Sequence, residues 1–338
     1  MKALVITDRN NPLVVQELAD PKAGPGEAIV RIHAASLNHR DVWIQKGQYA
    51  GLKYPIVPGS DGAGVVVEAI QDQNTATRED WIGREVIINP SLEWGRASAY
   101  QDPGSFRILG LPDNGTLAQY VKVPVGNLVE KPDFLSFEEA AALPLAGVTA
   151  FRASMTRAQT QAGEKVLITG IGGGVALFAF QFALASGAQV YVTSGSDEKL
   201  DKAMTMGAMG AVNYKAADWV QRLHDLAGGF DVTVDGAGGD GFNDLLDLAA
   251  PGSRIVLYGA TRGNPSNLVT RRIFWKQLNV LGSTMGSPED FEAMAAFIRK
   301  HAIHPVVDSI FEFEEGEAAF RWMEGEKQFG KIVVKISD

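Results

Sequence analysis

Through the first third of the chain, apolar residues come in short β-branched runs punctuated by Gly and Pro. "EAIVRIHAASL" (27–37), "GAGVVVEAI" (62–70), "REVIINP" (84–90) and "LAQYVKVP" (117–124) are four of them. Runs this short and this close predict the strands of a barrel or partly closed sheet. The texture changes near Leu135. "SFEEAAALPLAGVTAFRASM" (136–155) predicts a helix opened by a capping box, Ser136 with Glu139 three residues on. From "KVLITGIG" (165–172) onward the pattern alternates. "QVYVTSG", "GAVNY", "FDVTVDGAG", "RIVLYGA" and "NVLGSTM" read as strands. "GVALFAFQFALAS", "DEKLDKAMTMG", "AADWVQRLHDLA" and "GFNDLLDLAA" read as helices between them. That alternation predicts an α/β fold with a doubly wound parallel sheet. The last fifty residues change again, with the amphipathic helix "PEDFEAMAAFIRKHA" and the closing strand "GKIVVKI".

A chain of 338 residues is too long for one ordinary core and suits two domains. With 46% apolar and 21% charged residues, it has a soluble globular balance. The net charge of −9 argues against a nucleic-acid or anionic-membrane surface as the main partner. No apolar run reaches the length of a membrane span, and no signal peptide is visible, so the expected compartment is the cytoplasm. Cysteine is absent, which removes disulfides, thiolate nucleophiles and thiolate metal sites together.

The first candidate chemistry is the glycine cluster in "VLITGIGGGVALFAF". Gly170, Gly173 and Ala176 fit the tolerated form of the dinucleotide fingerprint, between a strand and a long helix. There, backbone can approach a pyrophosphate at a helix N-terminus. The next strand ends in Ser194-Gly195-Ser196 with Lys199 one turn on. NAD sites usually carry a carboxylate at that tip. Hydroxyls and a cation suit the 2′-phosphate of NADP, so NADPH is the expected cofactor. Asp197 leaves an alternative, because it is either an N-terminal helix residue or a displaced ribose ligand of an NAD enzyme.

Four motifs occur in one order: "PIVPGSDGAGVVVEA", "LPLAGVTAFRA", "ITGIGGGVALFAFQFALASGAQVYVTSGSDEK" and "GKIVVKI". In this the whole chain resembles the medium-chain dehydrogenase/reductase superfamily. It is most similar to the zinc-less branch of NADPH-dependent quinone oxidoreductases and enone reductases. The resemblance implies a GroES-like β-barrel catalytic domain over residues 1–127 and 287–338. It also implies an inserted Rossmann domain over 128–286, with the active site in the cleft between them. Zinc-dependent members hold the metal with an early Cys, a His–Glu pair after Pro-Gly, and a later Cys. The matching positions here are Asn38, Ser60–Asp61 and about Leu145. The structural-zinc lobe corresponds to "NPSLEWGRASAYQDPGSFRILG", which has no Cys. No zinc is therefore expected.

By the same resemblance, Asn38 and Asp41 lie near the nicotinamide and its ribose, and Trp43 and Tyr49 line the substrate pocket. Thr149 sits at the nicotinamide end. Gly173, Gly174 and Val175 face the pyrophosphate, and Ser194, Ser196, Lys199 and Tyr214 surround the adenosine phosphate. Two plainer readings remain open: Trp43 as core, and Asp41 as a buried carboxylate that ties Arg40 or backbone N–H groups in place. Without a Lewis acid, conjugated acceptors ask least of the protein, since charge spreads to an oxygen that hydrogen bonds can stabilise. Asn38 and Arg40 are candidate donors, and Tyr49 or a water the proton source. The expected activity is reduction of small quinones or α,β-unsaturated carbonyls. The rivals are a zinc-less alcohol or aldehyde dehydrogenase and an NADPH-binding sensor with little turnover. A homodimer or dimer of dimers, paired through "NVLGSTMG" (279–286), is expected from the open strand edge.

Overall fold

A computed structural model describes residues 1–70 and 80–337. They form two compact units: residues 1–146 with 287 to the C-terminus, and residues 147–286.

The second unit is built on six parallel strands, β1 (Lys165–Ile168), β2 (Gln189–Ser194), β3 (Gly210–Asn213), β4 (Phe230–Asp235), β5 (Ala249–Leu257) and β6 (Asn279–Gly282). Their order is 3-2-1-4-5-6, and every pairing is parallel. This is the doubly wound dinucleotide-binding order, which reverses direction between β1 and β4. The central strands are buried almost throughout, as a sheet covered on both faces requires. The helix Gly174–Ala185 shows why it lies inside: Phe178, Phe180 and Phe182 are all buried, so no face is polar. The helix Trp219–Ala227 instead buries Leu223 and Ala227 and ends on the left-handed Gly228.

Among the described residues, the first unit is built on a seven-stranded sheet, with two small two-stranded sheets beside it. Glu27–Ser36 is its hub, antiparallel to Asp61–Ala69, Tyr120–Pro124 and the C-terminal Lys331–Lys335. The chain therefore returns from the second unit to complete the first. Ile32, Ile44, Val86, Phe320 and Val334 share its core.

The N-terminal division falls between Ala146 and Gly147 rather than between residues 127 and 128, as expected from the sequence. The intervening segment is fastened to the barrel. Lys131 is buried and ion-pairs with Glu85 at 3.1 Å. Phe137 stacks on His33 with ring centroids 4.3 Å apart. The backbone N–H of Leu145 donates to Asp61. The capping box of Ser136 and Glu139 is present, but the helix it opens is short, Phe137–Ala141. A second helix begins at Pro144. Proline lacks the N–H that an uninterrupted helix would need there.

Candidate functional site

In the first unit, the loop after Glu27–Ser36 leads into the helix His39–Gln45. Asp41 stands in its first turn, fully buried. Its Oδ2 accepts from the Asn38 N–H at 2.8 Å and its Oδ1 from the Gly59 N–H at 3.3 Å. Burial pushes its pKa up, opposed by the charge of Arg40. Both oxygens are occupied by backbone, so Asp41 joins the loop to the Pro58-Gly59 turn. That agrees with its plainer reading as a buried carboxylate that ties backbone N–H groups in place.

Behind it lies a buried polar knot. Asn38 donates through Nδ2 to Asp61 Oδ2 at 2.9 Å. The Lys331 ammonium donates to Leu37 O, Asn38 Oδ1 and Asp61 Oδ2 at 2.8, 2.8 and 2.9 Å. Asp61 Oδ1 accepts from the Leu145 N–H at 2.7 Å. Lys331 and Asp61 are 4% and 0% exposed in their side chains. Each charge is therefore paired and each polar atom used, the condition under which a buried ion pair is tolerated.

The positions that the family resemblance matches to zinc ligands, Asn38, Ser60–Asp61 and Leu145, do come together here. They do not fit the metal. Leu145 offers no donor side chain, and Asp61 already holds an ammonium. Among the described residues, no group of three or more His, Asp or Glu is placed to hold a metal ion.

Arg40 is also buried. Its Nη1 donates to Ser60 Oγ at 2.6 Å and to Leu109 O at 2.8 Å. Its Nε reaches the Tyr49 hydroxyl at 3.4 Å, and its guanidinium lies over the Tyr49 ring, 5.0 Å from the centroid. Trp43 is apart from this pair. It is half-exposed in a shallow hollow with His39, Lys46 and Glu324.

In the second unit, β1 ends in a turn with Gly170 and Gly172 at φ of 66° and 122°. Gly173 caps the following helix without a side chain to occupy the free N–H groups. A Cβ on Gly173 would meet nothing within 4 Å, so the helix N-terminus opens on clear space. That cradle fits a pyrophosphate. The Lys199 stem runs over Gly172, with Cδ 2.7 Å and Nζ 3.4 Å from the point where a Cβ would stand. At the tip of β2, Ser194 Oγ accepts from the Ser196 N–H, and Ser196 Oγ caps the helix Asp197–Thr205. Both hydroxyls keep their hydrogen for an acceptor. Asp197 Oδ1 accepts from Asn213 Nδ2 at 2.7 Å. Tyr214 and Lys215 crowd Gly195, with the Tyr214 hydroxyl 2.7 Å from its would-be Cβ. Thr149 is buried and donates to the Met285 sulfur at 3.8 Å.

Three residues in these clusters escaped the sequence reading. Lys331 pairs with a carboxylate 270 positions away, and no local pattern announces that. Lys215 and Arg262 stand beside Tyr214. Lys215 adjoins the "VNY" strand and was within reach of notice; Arg262 was not.

The alcohol dehydrogenase GroES-like domain model matches residues 24–133, and the zinc-binding dehydrogenase model matches residues 174–300. The zinc-type alcohol dehydrogenase-like protein YogA of Leptosphaeria maculans is 35% identical, over 96% of this chain and 95% of its own. Quinone oxidoreductase-like protein 2 of Rattus norvegicus is 29% identical, over 99% and 92%. A solved NAD-dependent alcohol dehydrogenase is 37% identical with a TM-score of 0.91, each chain covered 100%. The chain belongs to the medium-chain dehydrogenase/reductase superfamily and is an oxidoreductase of that class.

Proposed function

We propose that this oxidoreductase is a zinc-independent, NADPH-dependent reductase of quinones or α,β-unsaturated carbonyls. The observation that carries the reading is the ammonium of Lys331 on Asp61, where zinc-dependent relatives would need a metal-binding set. A plain ketone then lacks its Lewis acid, while a conjugated acceptor needs only hydrogen bonds at its oxygen.

The cofactor supplies hydride when bound. The chain's own residues do the rest. The N–H groups of Gly173, Gly174 and Val175 receive the pyrophosphate at the helix start. Ser194, Ser196 and Tyr214 offer hydroxyls at the adenosine end, and Lys199 a cation beside the glycine turn. Thr149 contributes at the nicotinamide end. On the substrate side, Arg40 is fixed by Ser60 and Leu109, which orients its remaining N–H groups and the Tyr49 hydroxyl they approach. An acceptor oxygen against that pair gains charge stabilisation from Arg40 and a proton from Tyr49. Asn38 and Asp41 hold the loop that carries Arg40.

A second reading has a specific support. The 37% identical structure is of an NAD-dependent alcohol dehydrogenase, which favours alcohol oxidation with NAD. One panel separates the two: quinones, enones, ketones and aldehydes with NADPH and NADH, followed by absorbance of the reduced cofactor. Faster turnover of quinones or enones with NADPH supports the proposal. Ketone reduction at a comparable rate with NADH sinks it in favour of the second reading. Elemental analysis should find no stoichiometric zinc, and a chelator should leave activity unchanged.

A further inference from the structure

Arg262 lies in the loop after β5, and its guanidinium carbon is 4.6 Å from the centroid of the Tyr214 ring. The two belong to distant parts of the sheet. The Arg262 backbone is pinned to the turn after β4: its N–H donates to Ala237 O at 2.8 Å, and the Gly239 N–H donates to Gly263 O at 2.8 Å. A Cβ on Gly239 would meet Arg262 at 3.0 Å. Tyr214 follows β3. The order 3-2-1-4-5-6 puts β2 and β1 between those anchor points. Three strand spacings of ~4.8 Å make about 14 Å to cross. Arg262 and Tyr214 therefore meet over the carboxyl ends of β1 and β2, where the glycine turn and the Ser194–Ser196 tip lie. The Tyr214 hydroxyl reaches the tip itself, at Gly195.

The charges around that tip favour an anion. Lys215 lies beside Gly195 and Lys199 over Gly172. Of the nearby carboxylates, Asp197 accepts from Asn213 and Glu198 is ion-paired with Lys202 at 2.8 Å. Arginine suits a phosphate better than lysine does, because its planar fork donates in pairs while its face rests on an aromatic ring.

We infer that Arg262 determines cofactor specificity, reading the 2′-phosphate from the loop after β5 with Tyr214 as the platform that holds it ready. This rests on the NADPH reading of the same site. The test uses the intact protein and two fragments, 2′,5′-ADP and 5′-AMP, titrated calorimetrically. They share adenine, ribose and the 5′-phosphate, so their difference reports the 2′-phosphate alone. Arg262→Ala should weaken 2′,5′-ADP by about ten- to a hundredfold and move 5′-AMP by no more than about twofold. Tyr214→Leu should cause a smaller loss of the same selective kind. Arg262 is exposed, so thermal unfolding should not move. An equal loss for both fragments would make Arg262 an adenine or fold contact and overturn the inference. So would an unchanged affinity for 2′,5′-ADP in a wild-type background that prefers it. If wild-type protein binds 2′,5′-ADP no tighter than 5′-AMP, the NADPH reading itself fails and takes the inference with it.

Discussion

Lys331 and Asp61 set the energetics of the polar knot. Removing one charge strands the other in a dry interior, at a cost of about 3–5 kcal/mol. Lys331→Met should lower the unfolding free energy by about that much in denaturant titration, and Lys331→Met with Asp61→Asn should recover part of it. Strict additivity of the two losses would show that the pair is not coupled. Asp41 gives a pH test. Burial raises its pKa above the ordinary 3.8, so the folded chain keeps a proton that the unfolded chain releases. Its stabilising contribution is full below 3.8 and falls as pH rises through the raised folded value. Wild-type stability measured against Asp41→Asn should therefore decline with rising pH across that window. A rise instead would mean that the hydrogen bonds from Asn38 and Gly59 outweigh desolvation. For catalysis, Arg40→Leu removes the donor proposed above for the acceptor oxygen. It should lower kcat by about a hundredfold or more with folding retained, as loss of a preorganised donor does elsewhere. An unchanged kcat would remove Arg40 from the chemistry.

At the scale of elements, the strand–turn–helix around the glycines was the most legible part, because its chemistry is local. Gly170, Gly173 and Ala176 sit at the spacing a close phosphate approach needs, and the strand and helix appear on either side. The limits came from partners far apart in sequence. Lys199 was expected at the adenosine phosphate from its place one turn into the helix and from the family resemblance. Its stem instead runs over Gly172, which brings the ammonium to the glycine turn that both dinucleotides share. Lys199→Ala should then weaken NADH and NADPH alike, by roughly tenfold for one charge-assisted contact. A loss confined to NADPH, read by fluorescence titration, would return Lys199 to the 2′-phosphate. Residues 136–155 misled for a similar reason. The capping box was legible and Pro144 marked a break locally, but the anchoring of residues 131–145 to the barrel depends on Glu85, His33 and Asp61, none of them neighbours in sequence.

At the scale of the whole molecule, the alternation of strands and helices foretold the doubly wound unit, while the return of the closing strand to the first unit was implied by the family resemblance and not by the strand's own pattern. No helix among the described residues is long and apolar enough to cross a membrane. The sheet order leaves one edge to explain. β6 pairs with β5 on one side only, and its burial is the reverse of the central strands, with Val280 38% exposed. The preceding helix, Thr270–Trp275, adds Phe274 and Trp275 at 62% and 74% exposed. An open edge flanked by large apolar side chains invites another strand, and native proteins cover such edges. A second copy of the same edge does so by two-fold symmetry, joining six strands to six in one continuous sheet. We predict a homodimer, or a dimer of dimers, by light scattering at micromolar concentration. Val280→Pro removes a backbone donor at the centre of that edge without entering the core. It should shift the population to monomer while 5′-AMP binding persists. Monomeric wild-type protein would leave the edge uncovered and the prediction wrong; a dimer that survives Val280→Pro would place the interface elsewhere.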